Sequence, residues 1–176
     1  MRSSSAQQVV AALSDRRRWY ALTASVLGGA LVGVMLWSNG PHPTLARDLV
    51  RHLALEPGAL SATDTLADPT QVQEVLRNSG VRLRANLGRV SYAHSCPFRG
   101  HAVLHLVIQT SDGPVTALVL RDEKVRRPVE FQAQGYAGRI EPAGAGSIAV
   151  IGRSRVQARR AATEVMAALD LLPLPL

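Results

Sequence analysis

Residues 88–122 read GRVSYAHSCPFRGHAVLHLVIQTSDGPVTALVLRD. The hydrophobic period in this stretch is that of strands. GRVSYAHS (88–95) predicts a strand, CPFRG (96–100) a turn, HAVLHLVIQT (101–110) a strand with bulk on both faces, and VTALVLRD (115–122) a third strand. Ser111-Asp-Gly-Pro114 separates the last two. Glycine there tolerates positive φ, proline presets φ, and aspartate bonds its own backbone, so the tetrapeptide is a turn signal. Strands joined this tightly pair antiparallel, and the stretch predicts a meander.

Downstream, VEFQAQ, GYAGRIEPA and SIAVIG read as further short strands divided by glycines, after a connector EKVRRPVE that has room for a helical turn. A closing helix is expected from Ser154, with Gln157 completing a capping box, to about Leu172, where Pro173 stops it. Upstream, VRLRANL (81–87) alternates as a strand does. PTLARDLVRHLALE (43–56) places Leu45, Leu49, Val50 and Leu53 on one helical face. A second helix is expected after Asp68, a good N-cap, with Val72, Val75 and Leu76 as its apolar stripe and Gly80 as its C-terminal stop. The fold class is α+β, with an antiparallel sheet of about five or six strands and about three helices covering one sheet face.

Further upstream lies WYALTASVLGGALVGVMLW (19–37), without charge or proline. As a helix it would reach roughly 28 Å, close to the hydrocarbon thickness of a bilayer. Trp19, Tyr20 and Trp37 stand at its ends, where amphipathic rings favour the lipid interface. Arg16, Arg17 and Arg18 precede it and orient the N-terminus to the cytoplasm. The expected organisation is a cytoplasmic tail (1–18), an uncleaved transmembrane helix (19–37), a linker (38–43), a periplasmic α+β domain (44–172) and a short C-terminal tail (173–176). Gly29-Ala-Leu-Val-Gly33 has the small-xxx-small spacing that admits a homodimer through this helix, although a plain anchor needs no partner.

The formal charge of +7 invites a nucleic-acid reading, but its distribution does not support one. Residues 1–18 carry +3, the remainder is a mild excess spread along the chain, and the basic pairs lack interleaved aromatics. No nucleic-acid partner is expected. A phosphate-binding loop is missing, since the chain's only lysine is Lys124 and no glycine-rich run precedes it. No G-x-S-x-G occurs, and Gly144-Ala-Gly146 reads as a turn. No enzymatic activity is assigned.

His94, Cys96, His101 and His105 are residue types that bind zinc. Were 101–105 helical, His101 and His105 could share an ion. On a strand they stand about 13 Å apart, at or beyond the limit for direct joint ligation at about 2 Å each, and His94 and Cys96 at i, i+2 could share an ion with one of the two but not easily with both. A Cys96–His94 or Cys96–His101 thiol pair lacks a third orienting group. This reading therefore assigns no metal and no cofactor. It names His94, Cys96, Phe98, Arg99, His101 and His105 as a ligand- or partner-binding hairpin, because turns on rigid sheets often carry recognition. The single cysteine cannot form an internal disulfide.

SYAHSCPFRGHAVLHLVIQTSDGPVTALVLRDE and GYAGRIEPAGAGSIAVIG resemble an uncharacterised family of single-pass bacterial inner-membrane proteins described as anti-sigma-factor-like. Ser95–Gly100, His105, Gly113–Thr116 and Gly146–Ala149 are its most specific parts, and the likeness covers roughly residues 40–152. The resemblance implies an inner-membrane anchor and a periplasmic sensing or regulatory domain, with a sigma factor as the partner; an envelope protein is the partner expected of an accessory domain. Members carry a longer cytoplasmic region, often with a His/Cys zinc motif. Residues 1–18 contain neither histidine nor cysteine, so the periplasmic half carries the likeness. The function expected is membrane-anchored regulation. The alternatives are an accessory domain tethered to a membrane complex, and a metal or redox protein using the hairpin.

Overall fold

The computed structural model describes residues 43–173 apart from 57 and 59, all within the compact unit Pro41–Leu176. The expected transmembrane helix, the tail before it, most of the linker and residues 174–176 lie outside the described residues. Among those described, no helix is long and apolar enough to cross a membrane.

The order along the chain is α1 (Pro43–Ala54), α2 (Pro69–Asn78), β1 (Val81–Leu83), β2 (Arg89–Phe98), β3 (His101–Thr110), β4 (Gly113–Leu120), β5 (Val129–Ala133), β6 (Tyr136–Ala143), β7 (Gly146–Gly152), α3 (Arg155–Ala168) and β8 (Leu169–Leu171). Six strands form one antiparallel sheet in the order β2-β3-β4-β7-β6-β5, and β1 pairs with β8 in a two-stranded sheet. The fold is thus α+β, and its six-stranded antiparallel sheet and three helices fall within the expectation of about five or six strands and about three helices. The chain descends as a meander through β4, crosses to the far edge at β5, and returns through β6 to place β7 beside β4.

Helices cover both faces, a correction to the one-sided arrangement expected. Val72 and Leu76 of α2 and Ala161, Ala162 and Val165 of α3 pack with Leu104, Leu106, Val115, Ala117, Ile148 and Val150 on the first face. Leu45, Leu49, Val50 and Leu53 of α1 pack with Phe98, Val103, Leu118, Leu120, Ala149 and Ile151 on the second. Burial on both sides is why β3, β4 and β7 read as nearly continuous apolar runs.

Three boundaries differ from expectation. β2 runs through Cys96-Pro97-Phe98, leaving only Arg99-Gly100 as the turn. Both turn residues have positive φ, 50° and 83°, the primed geometry that suits a two-residue hairpin. Pro97 is tolerated because β2 is an edge strand, where a missing N–H costs no ladder bond. The alternating stretch after α2 pairs only over Val81–Leu83. The closing helix stops at Ala168, and Leu169–Leu171 is strand, held in register with Leu83–Val81. No helical turn forms between β4 and β5. The helix starts match their caps. The Asp68 carboxylate accepts from Thr70 N at 2.7 Å and Gln71 N at 3.2 Å, and Ser154 Oγ accepts from Gln157 N at 3.2 Å.

Candidate functional site

A polar cluster interrupts the second-face core where the C-terminal end of α1 meets the β2–β3 hairpin. Its members are His52, Glu56, Tyr92, Cys96 and His105. The ring of His105 is fully buried, and Cys96 is buried beside it. Strand alternation and one irregularity bring them together. The register shifts between Val90 and Tyr92, so Ser91 is an extra residue in β2. Val90 faces the first core, whereas Tyr92 joins His94, Cys96 and Phe98 on the side facing α1. Ser91 is held in this bulge by Gln109 Nε2, which donates to its Oγ at 2.8 Å.

The short distances converge on Glu56. Tyr92 donates its hydroxyl proton to Glu56 Oε2 at 3.1 Å. His105 Nδ1 lies 3.9 Å from the same oxygen, and His52 Nε2 lies 3.9 Å from Oε1. Cys96 Sγ is 3.8 Å from both the Tyr92 hydroxyl and His105 Nδ1. One ligand atom from each of His52, Glu56, Cys96 and His105 falls within 4.8 Å of the others. Yet His52 Nε2 and His105 Nε2 are buried without a hydrogen bond. Ring packing fixes the imidazoles: Phe98 meets His52 edge-on at 5.6 Å, and Tyr92 meets His105 edge-on at 5.2 Å.

Burial dominates the electrostatics. It lowers the pKa of His105 to about 4, against the opposing pull of Glu56, and it lowers that of His52. Both rings are neutral at pH 7 and present lone pairs. Burial also raises the Cys96 thiol and the Tyr92 phenol. For Glu56 burial pushes upward, but the Cys96 hydrogen bond, the attraction of His105 once it protonates in acid, and the Tyr92 hydrogen bond outweigh it and hold the carboxyl below its usual range. A raised thiol is a poor nucleophile, which disfavours thiol catalysis by Cys96.

The six hairpin residues named from sequence divide into three groups. Cys96 and His105 enter the cluster, and Phe98 forms its wall against His52. His94 is register partner to His105 but lies exposed, stacked on Tyr92 at 4.6 Å with Gln71 Nε2 3.5 Å from its Nε2. Arg99 and His101 point to carboxylates of their own chain: Arg99 to Asp48 at 3.3 Å and to Glu123, and His101 to Asp122 at 3.1 Å. His52, Glu56 and Tyr92 were not singled out in the sequence. A signal existed for two of them, since His52 and Glu56 are spaced i, i+4 and continue the Leu45–Leu49 stripe of α1.

Comparison with known proteins adds a family but no activity. No curated protein and no solved structure matches the chain. The family model described as "Protein of unknown function (DUF3379)" matches residues 2–169, nearly the whole length, and the chain belongs to that family.

Proposed function

We propose that this is a membrane-anchored regulatory or sensory protein, anti-sigma-factor-like, whose α+β domain lies on the periplasmic side of the bacterial inner membrane and captures a small ligand at the α1–hairpin cluster. The observation that carries the reading is the buried polar cluster with two histidine nitrogens that lack hydrogen bonds. Burying such groups unpaired costs free energy, roughly 1–3 kcal/mol each, and a ligand that takes the lone pair of His52 Nε2 offsets that nitrogen's share. The uncharged run 19–37 behind Arg16–Arg18 supports the anchor. The run ends at Trp37 and α1 begins at Pro43, so the ligand-bearing helix is the element that follows the anchor in sequence.

Crosslinking in living cells, with mass spectrometry of what co-purifies with the full-length chain, tests this. Recovery of a sigma factor or another cytoplasmic regulator supports the regulatory reading. Recovery of envelope proteins alone replaces it with an accessory domain tethered to a membrane complex.

A further inference from the structure

We infer that His52, Glu56, Cys96 and His105 form a four-coordinate site for a divalent transition-metal ion of the zinc class. The inference rests on the preceding reading of this cluster as a ligand site and names the ligand.

The geometry is close to closed. Tetrahedral zinc with bonds of about 2.0–2.3 Å needs ligand atoms about 3.3–3.7 Å apart. Cys96 Sγ lies 3.8 Å from His105 Nδ1, which lies 3.9 Å from Glu56 Oε2, while His52 Nε2 lies 3.9 Å from the other carboxylate oxygen, Oε1, of which Glu56 offers one to the ion. No pair exceeds 4.8 Å, so contraction by at most about 1.1–1.5 Å closes the shell. Two donors come from α1 and the residues just after it, and two come from the hairpin. The ion would clamp one element to the other.

The donor set selects the metal. One thiolate and two imidazoles disfavour magnesium and calcium, which take oxygen ligands, and suit a borderline ion in tetrahedral geometry. Charge balances within the site. On binding, Cys96 gives up its thiol proton to solvent and forms the metal–sulfur bond, both histidines bind as neutral rings, and Glu56 is already ionised. Two negative ligands and one divalent cation leave no net charge in a buried place. Tyr92 donates to Glu56 Oε2, the supporting bond that orients a ligating carboxylate. Glu56 is a quarter exposed, which leaves a route for entry.

The test uses the full-length chain in detergent, stripped with a chelator and titrated with Co2+, with Zn2+ added in competition. Expected are one equivalent of bound cobalt, visible absorption of tetrahedral intensity, and a thiolate-to-cobalt charge-transfer band that zinc abolishes. Cys96→Ser removes that band while the circular dichroism is unchanged. Glu56→Gln, at the most exposed of the four positions, weakens binding at least about 10-fold. Absence of the tetrahedral spectrum, or a spectrum indifferent to Cys96→Ser, overturns the site. Repeating the in-cell crosslinking with and without added zinc separates the two readings. A Cys96-dependent metal that leaves the partners unchanged keeps the site and removes the sensory role. Zinc-independent capture of a cytoplasmic regulator by a protein that binds no metal does the reverse.

Discussion

Cys96 Sγ and His105 Nδ1 lie 3.8 Å apart across the β2–β3 hairpin, although neither is the other's register partner. Cys96 stands opposite Val103 and His105 opposite His94, so the contact is a diagonal one between residues on the same face. The diagonal leaves His105 buried against α1 while His94 turns outward. His105 stands on an inner strand and His94 on the edge strand, so the two histidines directly opposite each other have different environments.

The first prediction concerns what the site costs. His105→Leu replaces a buried, incompletely bonded ring by an apolar side chain, while Glu56 keeps its Tyr92 hydrogen bond. Metal-free stability should stay within about 1 kcal/mol of the parent, or rise. Urea unfolding measures this. A loss well beyond that value would mean that His105 is a structural hydrogen-bonding group whose partners matter to the fold.

Acid should destabilise the metal-free protein through the same residue. The pKa of His105 is about 4 when folded against a model value of 6.5, so between those values the unfolded chain binds more protons and stability rises with pH. The contribution is complete above pH 6.5 and is lost as pH falls towards 4, by about 3 kcal/mol. Glu56, His52, His94, Tyr92 and Cys96 face or flank the ring. His52, also lowered, adds in the same direction, and the lowered Glu56 adds a further loss below about pH 4.5. Thermal melts across pH 4–7 should show a slope that flattens in His105→Leu. An equal slope in both proteins would assign the acid sensitivity elsewhere.

Two glycines should respond differently to substitution. At Gly146 a Cβ would meet the Leu120 carbonyl oxygen and the Arg121 Cα, backbone atoms with no freedom to rotate away. Gly146→Ala should cost at least the upper part of the roughly 1–3 kcal/mol range for overpacking. Gly100 has open space around it but a φ of 83°, so Gly100→Ala should cost only the left-handed penalty of about 1–2 kcal/mol, and Gly100→Asn less. Denaturation midpoints of the three variants test the order. Equal costs for alanine and asparagine at residue 100 would refute the conformational explanation.

Gln157 joins the start of α3 to the β3–β4 turn. Its Oε1 accepts from Arg153 N at 2.8 Å, and its Nε2 faces the carbonyls of Asp112, Gly113 and Pro114 at 2.9–3.3 Å. Gln157→Leu should cost about 2 kcal/mol and speed amide exchange in the turn at 111–113. Exchange that rises uniformly over the domain, with no excess at this turn, would count against a local latch.

Much of this architecture was legible locally. Asp68 and Ser154 announced their helices, Ser111–Pro114 announced a turn, and the apolar runs of β3, β4 and β7 announced buried strands. Each signal acts within a few residues, through a cap, a φ preference or a repeating face. The errors fell where distant partners decide. Leu169–Leu171 fits a helical stripe as well as a strand, and pairing with Val81–Leu83 selects the strand. Pro97 looks like a turn residue, and only its place on a sheet edge makes it strand.

The sequence by itself determined an α+β domain with an antiparallel sheet of about five or six strands, and it marked Cys96 and His105 among six candidate residues of one hairpin. Tertiary structure alone chose their companions. His52 and Glu56 lie 40 to 53 residues earlier in the chain. They reach the hairpin because the apolar stripe of α1 packs on the second sheet face, and because the bulge at Ser91 turns Tyr92 towards that helix. Proximity between chemically active side chains is set by which faces pack together, and no local periodicity encodes that.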